Sequence, residues 1–259
     1  MLKRILTGAI GFLIVSFVLF NSGIFLNISI FFCSMLGLKE IYQALSKKFL
    51  YIHTIGYLIS IVYLFFLINK INTLKFIILF GLFTISILIF LVFRNTKSNI
   101  QDCMITLFGV FYITFLLSFV ILIRNKTNGN ILIWLVFISS WGCDTFAYFT
   151  GKLFGKHKLT EKISPKKTIE GSIGGSLGVL LISWSFVYFF NLNYLYILVC
   201  FIASIFSQFG DLAASAIKRN TSLKDYGIIL PGHGGFLDRF DSVLFAAPII
   251  YFLLYIMKI

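Results

Sequence analysis

The sequence predicts an all-α, polytopic integral membrane protein, a helical bundle of about nine transmembrane helices. Of its 259 residues, 59% are hydrophobic and only 12% are charged. Soluble globular domains are typically about 45–50% apolar. The mean hydropathy of +0.98 reflects the same excess of apolar side chains. The chain is therefore too apolar for an ordinary water-soluble protein.

Nine apolar segments are long enough to cross, or nearly cross, a bilayer, for which about 20 mostly apolar residues are needed. In chain order they are 5–20, 24–38, 50–68, 74–93, 103–123, 131–150, 171–190, 194–217 and 243–257. The first two are short, but one helix over both would be roughly 50 Å long, far beyond a hydrocarbon core of about 30 Å. We therefore predict a tight hairpin at Asn21-Ser22-Gly23.

Basic residues are distributed unevenly between the two sides that these spans define. Seventeen of the 22 Lys and Arg lie at the amino terminus or in even-numbered loops. The five on the other side are Lys70, Lys75, Arg124, Lys126 and Lys258. Because cytoplasmic loops carry the excess of Lys and Arg, the amino terminus is predicted in the cytoplasm and the carboxyl terminus outside. Much of the net charge of +13 thus reflects orientation, and no nucleic-acid partner is expected.

Groups capable of chemistry concentrate after residue 140, where seven of the nine Asp and Glu lie. Two long loops, 151–170 and 218–242, interrupt the pattern of short connections, and both are predicted to be cytoplasmic. We therefore divide the chain into an amino-terminal multi-span region, 1–140, and a carboxyl-terminal catalytic membrane region, 141–259. The first region offers no residue to which the sequence assigns a function.

Two acids, Asp144 and Asp211, fall within apolar segments. An acid there costs about 2.5–3.5 kcal/mol even on lenient insertion scales and usually marks a site. Helical spacing gives Asp211 a polar stripe that also contains Ser204, Ser207, Ser215 and Lys218. On the sixth segment the same spacing groups Ser140, Asp144, Tyr148 and Gly151. At this point, serine hydrogen bonds between helices and a proton relay in a transporter are open alternatives.

The loop 151–170 carries six lysines, which indicates a polyanionic ligand. Its run Ser164-Pro165-Lys166-Lys167-Thr168 puts two cations and two hydroxyls beside a rigid turn, a combination suited to phosphate oxygens. A patch for anionic lipids, or simple positive-inside charge, is the alternative. The glycines that follow, at positions 171, 174, 175 and 178, predict close packing of the next helix.

The loop 218–242 combines bases, glycines and acids. It contains Lys218, Arg219, Lys224 and Asp225, then Pro231-Gly232-His233-Gly234-Gly235, then Asp238, Arg239 and Asp241. Glycines around a histidine let backbone amides approach a phosphate. The acids at 238 and 241, three apart where the last helix should begin, can face Asp211 together. Such oxygen ligands suit Mg²⁺, although helix capping is an alternative role.

Together these motifs resemble the signature of the phosphatidate cytidylyltransferase, or CDP-diacylglycerol synthase, family. The matching run is Ser215-x-Ile217-Lys218-Arg219, Lys224-Asp225-x-Gly227 and Leu230-Pro231-x-His233-Gly234-Gly235-Phe236-x-Asp238-Arg239-Phe240-Asp241. Upstream, Asp144, the run 164–171 and Gly210-Asp211-Leu212 are also similar to the family pattern. The resemblance implies a polytopic, often dimeric enzyme that converts CTP and phosphatidic acid into CDP-diacylglycerol and pyrophosphate with a divalent cation.

From the resemblance and the residue chemistry we assign catalysis to Asp211, Lys218, Asp238 and Asp241. The three acids would hold Mg²⁺ against the triphosphate with support from Ser215, and a second metal ion is left open. Substrate binding is assigned to Asp144, Ser164, Lys166, Lys167, Ser215, Arg219, Lys224, Asp225, His233 and Arg239. Within this set the two adjacent lysines bind CTP, and the histidine either donates to a phosphate or is structural.

Two rival functions are weighed against this interpretation. A CTP-dependent lipid or polyprenol kinase would also join membrane helices to CTP, but it lacks the full carboxyl-terminal signature. A multi-span transporter would explain the embedded acids but not the glycine-rich loop. The expected location is a bacterial inner membrane, with the site facing the cytoplasm, because the chain has no evident organelle-targeting segment.

Overall fold

A computed structural model describes residues 2–21, 23–45, 53–69, 82–83, 85, 89, 100–227, 229 and 234–259. Eight helices are described from end to end within these residues: α1 (Leu2–Asn21), α2 (Ile24–Leu45), α3 (His53–Ile68), α4 (Ile100–Arg124), α5 (Gly129–Phe154), α6 (Ile169–Phe189), α7 (Leu195–Asn220) and α8 (Leu237–Ile256). Two short strands, β1 (Lys158–Thr160) and β2 (Ser164–Thr168), join α5 to α6. The all-α prediction is thus right for the membrane helices, with one small hairpin added.

Six of the described helices, α2 and α4 to α8, are long and apolar enough to cross a membrane. The apolar parts of α1 and α3 are shorter, and most of the predicted fourth span, 74–93, lies outside the described residues. The chain is therefore a polytopic membrane protein, while the count of about nine spans stays a prediction. The predicted break at residues 21–23 is confirmed, because α1 ends at Asn21 and Gly23 has a φ of 65°.

Two of these helices contain a π-helical stretch. It covers Val110–Phe115 in α4 and Ile138–Gly142 in α5. A π turn accommodates one extra residue and so changes the face that the following residues present. In α5 Ser140 lies inside the stretch and Asp144 lies just after it, and the Ser140 hydroxyl donates to the Val136 carbonyl at 2.8 Å. The regular helical spacing that grouped these residues in the sequence does not hold across it.

The described chain divides by its contacts into two units. The first comprises Met1–Ile121 with Thr221–Leu237, and the second comprises Leu122–Asn220 with Asp238–Ile259. The division predicted at residue 140 rests on chemistry rather than on contacts, and it stays a prediction.

In the first unit, buried polar side chains are paired inside the helix bundle. Tyr63 and Ser118 share a hydrogen bond of 2.8 Å, and Thr114 donates to Ser60 at 2.8 Å. A more unusual group is Glu40 on α2, which is 1% exposed and accepts hydrogen bonds from backbone amides. Such internal pairing is expected in lipid, where water cannot satisfy polar groups.

In the second unit, α5 and α6 pack closely through glycines, as the sequence predicts. A Cβ at position 175 would lie 2.9 Å from both the Ala147 Cβ and the Cys143 carbonyl oxygen. A Cβ at position 171 would lie 2.8 Å from the Ala147 carbonyl oxygen. The backbones therefore approach to a distance that no larger residue permits.

The β1–β2 hairpin is tied to the start of α6. The Thr168 hydroxyl accepts the Gly171 amide at 3.1 Å and so caps the helix. The Glu170 carboxylate accepts the backbone amides of Lys156 and His157 at 3.1–3.2 Å and contacts the His157 ring nitrogen at 2.6 Å. These bonds order a loop that the sequence alone would leave as a flexible connection.

The glycine packing gives a stability prediction. Gly175→Ala should lower the free energy of unfolding by about 1–3 kcal/mol, because the added methyl overlaps atoms of α5. Gly11→Ala is the matched control, since no atom lies within 4 Å of the added Cβ, and it should be neutral or gain up to about 1 kcal/mol from helix propensity. Thermal unfolding of the purified variants in detergent measures both. Equal midpoints would contradict the close packing.

Candidate active site

An ion pair joins Asp211 on α7 to Lys167 on β2. The Lys167 Nζ lies 2.5 Å from Asp211 Oδ2, and the two side chains are 27% and 26% exposed. Neighbouring strand residues face opposite ways. Accordingly Lys167 is half-buried against the acid while Lys166 is exposed. The sequence treats the two lysines as equivalent, but in the structure only Lys167 pairs with the acid.

A second ion pair joins the end of α7 to the start of α8. The Lys218 Nζ lies 2.7 Å from Asp238 Oδ1, with side chains only 11% and 6% exposed. A cation at a helix carboxyl end and an acid at a helix amino end both interact favourably with the helix dipoles. The prediction that Asp238 and Asp241 open the last helix is confirmed, because α8 begins at Leu237.

The remaining acids meet beside these pairs. Ser242 donates from its hydroxyl to Asp144 Oδ2 at 3.1 Å, and its backbone amide donates to Asp241 Oδ1 at 2.8 Å. Asp144 and Asp241 each lie close enough to Asp211 to be repelled by its charge. Three carboxylates from α5, α7 and α8 thus share one polar cluster.

Cations of the same unit offset part of this repulsion. Lys167 and Arg239 act electrostatically on Asp144, and Lys218 acts on Asp241. Both ion pairs therefore belong to the cluster of carboxylates rather than to separate surface sites. Several like charges held near each other and near two lysines form an arrangement that can receive a polyanion together with a cation.

The polar stripe of α7 serves two purposes. Ser215 donates to Asp211 Oδ1 at 3.4 Å, one helical turn away, and so belongs to the cluster. Ser207 instead donates to the Ser139 carbonyl on α5 at 3.2 Å, and Ser204 to the Phe201 carbonyl at 2.7 Å. The alternative of serine hydrogen bonds between helices thus holds for Ser207, whereas Ser204 bonds within its own helix.

The other predicted binding residues lie outside this cluster of contacts. Arg219 is exposed, and its Nε donates to the Ile163 carbonyl at 3.2 Å. Ser164 begins β2, while Lys224 and Asp225 are exposed in the segment that belongs to the first unit. His233, with Pro231 and Gly232, lies outside the described residues.

Two contributors were not predicted. Ser242, fully buried, directly follows the acidic run and bonds both Asp144 and Asp241. Trp141 donates from its indole nitrogen to the Arg239 carbonyl at 3.2 Å, and its ring lies edge-on to Phe240. Together they hold the first turn of α8 against α5. Only its position next to the acidic motif could have drawn attention to the serine.

An apolar cavity of about 320 Å³ lies between α6 and α7 in the same unit. Its lining includes Ile173, Leu177, Phe209 and Leu212. Leu212 follows Asp211 directly, so the cavity and the polar cluster lie at the same level of α7, on different sides of the helix. A polar cluster and an apolar cavity thus lie along one stretch of helix.

The donor chemistry of the cluster suits Mg²⁺. Within the described residues, no three His, Cys, Asp or Glu side chains converge into a ready-made metal site. Mg²⁺, however, commonly takes only one or two carboxylates and completes its octahedron with water and substrate phosphates. The mutual repulsion of Asp144, Asp211 and Asp241 is the feature that a bound cation would relieve.

Comparison with known proteins identifies similar chains. The model of the cytidylyltransferase family matches residues 2–257. A phosphatidate cytidylyltransferase of Staphylococcus epidermidis is 35% identical over 256 residues, which cover 97% of this chain and 98% of the relative. The corresponding proteins of Staphylococcus haemolyticus and Staphylococcus aureus are also 35% identical, over 256 and 262 residues, with the same coverage. The similarity therefore extends through the amino-terminal helices as well as the polar cluster.

The buried pair gives a double-mutant prediction. Lys218→Gln or Asp238→Asn alone leaves one charge without its partner, which costs about 3–5 kcal/mol in unfolding free energy for a buried pair. The double variant should recover most of this loss, because an amide pair needs no counter-charge. The matched cycle on Lys167 and Asp211, which are more exposed, should show a smaller coupling. Additive losses at 218 and 238 would contradict the pairing.

Proposed function

The chain belongs to the cytidylyltransferase family, and we propose that it is a phosphatidate cytidylyltransferase, which makes CDP-diacylglycerol and pyrophosphate from CTP and phosphatidic acid. The supporting observation is the cluster in which Lys167 of β2 pairs with Asp211 of α7, while Ser242 bonds both Asp144 of α5 and Asp241 of α8 beside that pair. This cluster joins four parts of the sequence that resemble the family pattern: Asp144, the run 164–171, the segment 210–218 and the acids at 238 and 241.

The reaction requires one anionic phosphate to approach another. An oxygen of the lipid phosphate attacks the α-phosphorus of CTP, the bond from that phosphorus to the oxygen that bridges to the β-phosphate breaks, and pyrophosphate leaves with the electron pair. Such transfers need positioning and charge neutralisation more than covalent help from the protein. Lysines and arginines fixed on ordered elements supply both.

The ion pairs indicate how the lysines are presented. Without substrate, Lys167 and Lys218 neutralise Asp211 and Asp238. When phosphates enter, Lys167 turns from its carboxylate to the triphosphate, since it is the more exposed of the two lysines. Lys218 stays with Asp238 and contributes its charge over a longer distance. Two exposed cations, Arg219 and Lys166, bind phosphate oxygens from the surface.

Mg²⁺ is the proposed cofactor. Asp211, Asp238 and Asp241 would hold it, with Asp144 near enough to contribute and Ser215 orienting Asp211. When bound, such an ion neutralises charge on the triphosphate and on the departing pyrophosphate. The remaining work falls to the protein's own groups, which fix the acids, present the lysines and exclude water.

The lipid substrate is proposed to approach from the bilayer along α6 and α7. The apolar cavity beside Leu212 suits an acyl chain whose phosphate lies at the polar cluster. CTP would arrive from the cytoplasm, because the basic loops are predicted on that side. We therefore place the protein in a bacterial inner membrane with its site facing the cytoplasm; the homodimer that the resemblance implies stays a prediction.

The direct test is incorporation of radiolabelled CTP into chloroform-extractable lipid by the purified protein with phosphatidic acid, with and without Mg²⁺. We expect metal-dependent CDP-lipid and an equal amount of pyrophosphate. Asp211→Asn should lower turnover by about two orders of magnitude or more, because the acid would no longer help to hold the Mg²⁺ that neutralises the reacting phosphates. Glu161→Gln, at an exposed acid in the hairpin turn, is the matched control.

Other products would identify other functions. Release of CDP with a newly phosphorylated lipid would indicate a kinase. No reaction of CTP by folded protein would contradict a nucleotidyltransferase and favour transport.

The orientation is tested by cysteine labelling. Lys162→Cys in the exposed hairpin turn should react with a membrane-impermeant maleimide in inverted membrane vesicles but not in intact cells. Tyr194→Cys, exposed before α7, is the matched position and should show the reverse pattern. Three of the native cysteines are buried and Cys33 is half-buried, so the background should be low. Labelling of the Lys162→Cys variant in intact cells would contradict the cytoplasmic assignment.

A further inference from the structure

Glu40 is the most deeply buried acid of the first unit, and the reaction proposed above does not use it. It lies near the carboxyl end of α2 and is 1% exposed. An acid buried among membrane helices is costly unless its oxygens are bound. What binds them is therefore informative about the role of the residue.

Both carboxylate oxygens of Glu40 accept backbone amides from the start of α8 and the residue before it. Oε1 accepts the Phe236 amide at 2.8 Å, and Oε2 accepts the Leu237 amide at 2.8 Å. Each oxygen thus has its own donor, a geometry that fixes this segment in position and direction. Bonds to a charged acceptor are roughly twice as strong as neutral ones.

The glycines of the signature make this contact possible. A Cβ at position 227 or 235 would lie 2.8 Å or 2.6 Å from Glu40 Oε1. Both positions must therefore be free of a side chain for the carboxylate to reach the amides. These two glycines thus leave room for the Glu40 carboxylate. The sequence instead suggested that the glycine-rich run lets backbone amides approach a phosphate.

The bound amides belong to the amino end of α8. Leu237 is the first residue of that helix, and Asp238 follows it directly. Helix amino ends leave unpaired amides that an acid stabilises, and a nearby side chain usually supplies it. Here the acid comes from a residue 196 and 197 positions earlier in the chain. A distant residue thus binds the amides at which the helix begins, directly before its first acid.

We propose that Glu40 is a positioning residue for the cytidylyl transfer, which holds the segment 235–237 so that Asp238 keeps its productive geometry. The expected effect on turnover rests on the proposed function, whereas the hydrogen bonds between Glu40 and the two amides do not depend on it. A purely structural cap would affect the amount of folded protein alone. A positioning residue also affects turnover per folded molecule.

The test compares Glu40→Gln with Lys39→Gln in the full-length protein in detergent. Lys39 is exposed on the same turn of α2, so its variant controls for loss of a charge without touching the amides. In Glu40→Gln the amide group of the new side chain faces a backbone amide, so one hydrogen bond is lost. We expect kcat per folded molecule to fall about 10- to 100-fold, because small displacements of reacting groups are that costly. The control should stay within about twofold of the parent.

Hydrogen exchange provides a readout that needs no substrate. In the parent, the amides of Phe236 and Leu237 should exchange slowly, and in Glu40→Gln at least about tenfold faster, with the segment 222–225 unchanged in both. The proposal is overturned if the two amides exchange as slowly in Glu40→Gln as in the unsubstituted protein. It is also overturned if Glu40→Gln folds and keeps the kcat of the unsubstituted protein. If Glu40→Gln does not fold, the unsubstituted protein provides the test by itself. Exchange of its amides at 236–237 as fast as that of segment 222–225 would then overturn the proposal. A parent that makes no CDP-lipid contradicts the proposed function, while the exchange result still judges the contact.

Discussion

A carboxylate in a membrane helix must find a cation, a hydrogen-bond donor or a metal, since lipid offers none of these. This requirement organises the second unit of the protein. Asp211 and Asp238 are paired with lysines, Asp144 accepts a serine hydroxyl, and Asp241 accepts a backbone amide. The helices and the β-hairpin are arranged so that these partners reach the acids, and the polar cluster results from that arrangement.

The ion pairs that stabilise the acids in the folded protein also prepare the site to receive a substrate. The two ion pairs differ in exposure, with the Lys167 pair about a quarter exposed and the Lys218 pair close to fully buried. An exposed pair is worth little and exchanges partners easily, whereas a buried pair is costly to break. The hairpin lysine is therefore suited to following the nucleotide, and the helix lysine to keeping Asp238 in place. Rigid and adjustable charges are combined in one site.

The sequence was sufficient for the features that stand out against an apolar chain. It predicted the membrane class, the break before α2, the glycine contact of α6 and the acids at the start of α8, because each depends on local composition or spacing. It could not predict that Lys167 rather than Lys166 pairs with Asp211, since that depends on which way β2 faces. The π-helical stretch of α5 breaks the period on which helical spacing relies. Glu40 was missed because its partners are backbone amides, which no side-chain motif reveals.

The long separation between Glu40 and its amides has a consequence for biosynthesis. Translation at about 5–20 residues per second needs roughly 10–40 s to add the 196 residues that separate Glu40 from Phe236. During that interval α2 is already made, and its acid lacks these two donors. Water or lipid head groups near the end of α2 must solvate the carboxylate until Phe236 and Leu237 have been synthesised. Binding of these amides is thus a late event in assembly, and the first helices of the nascent chain carry a charge whose partners are among the last residues to be synthesised.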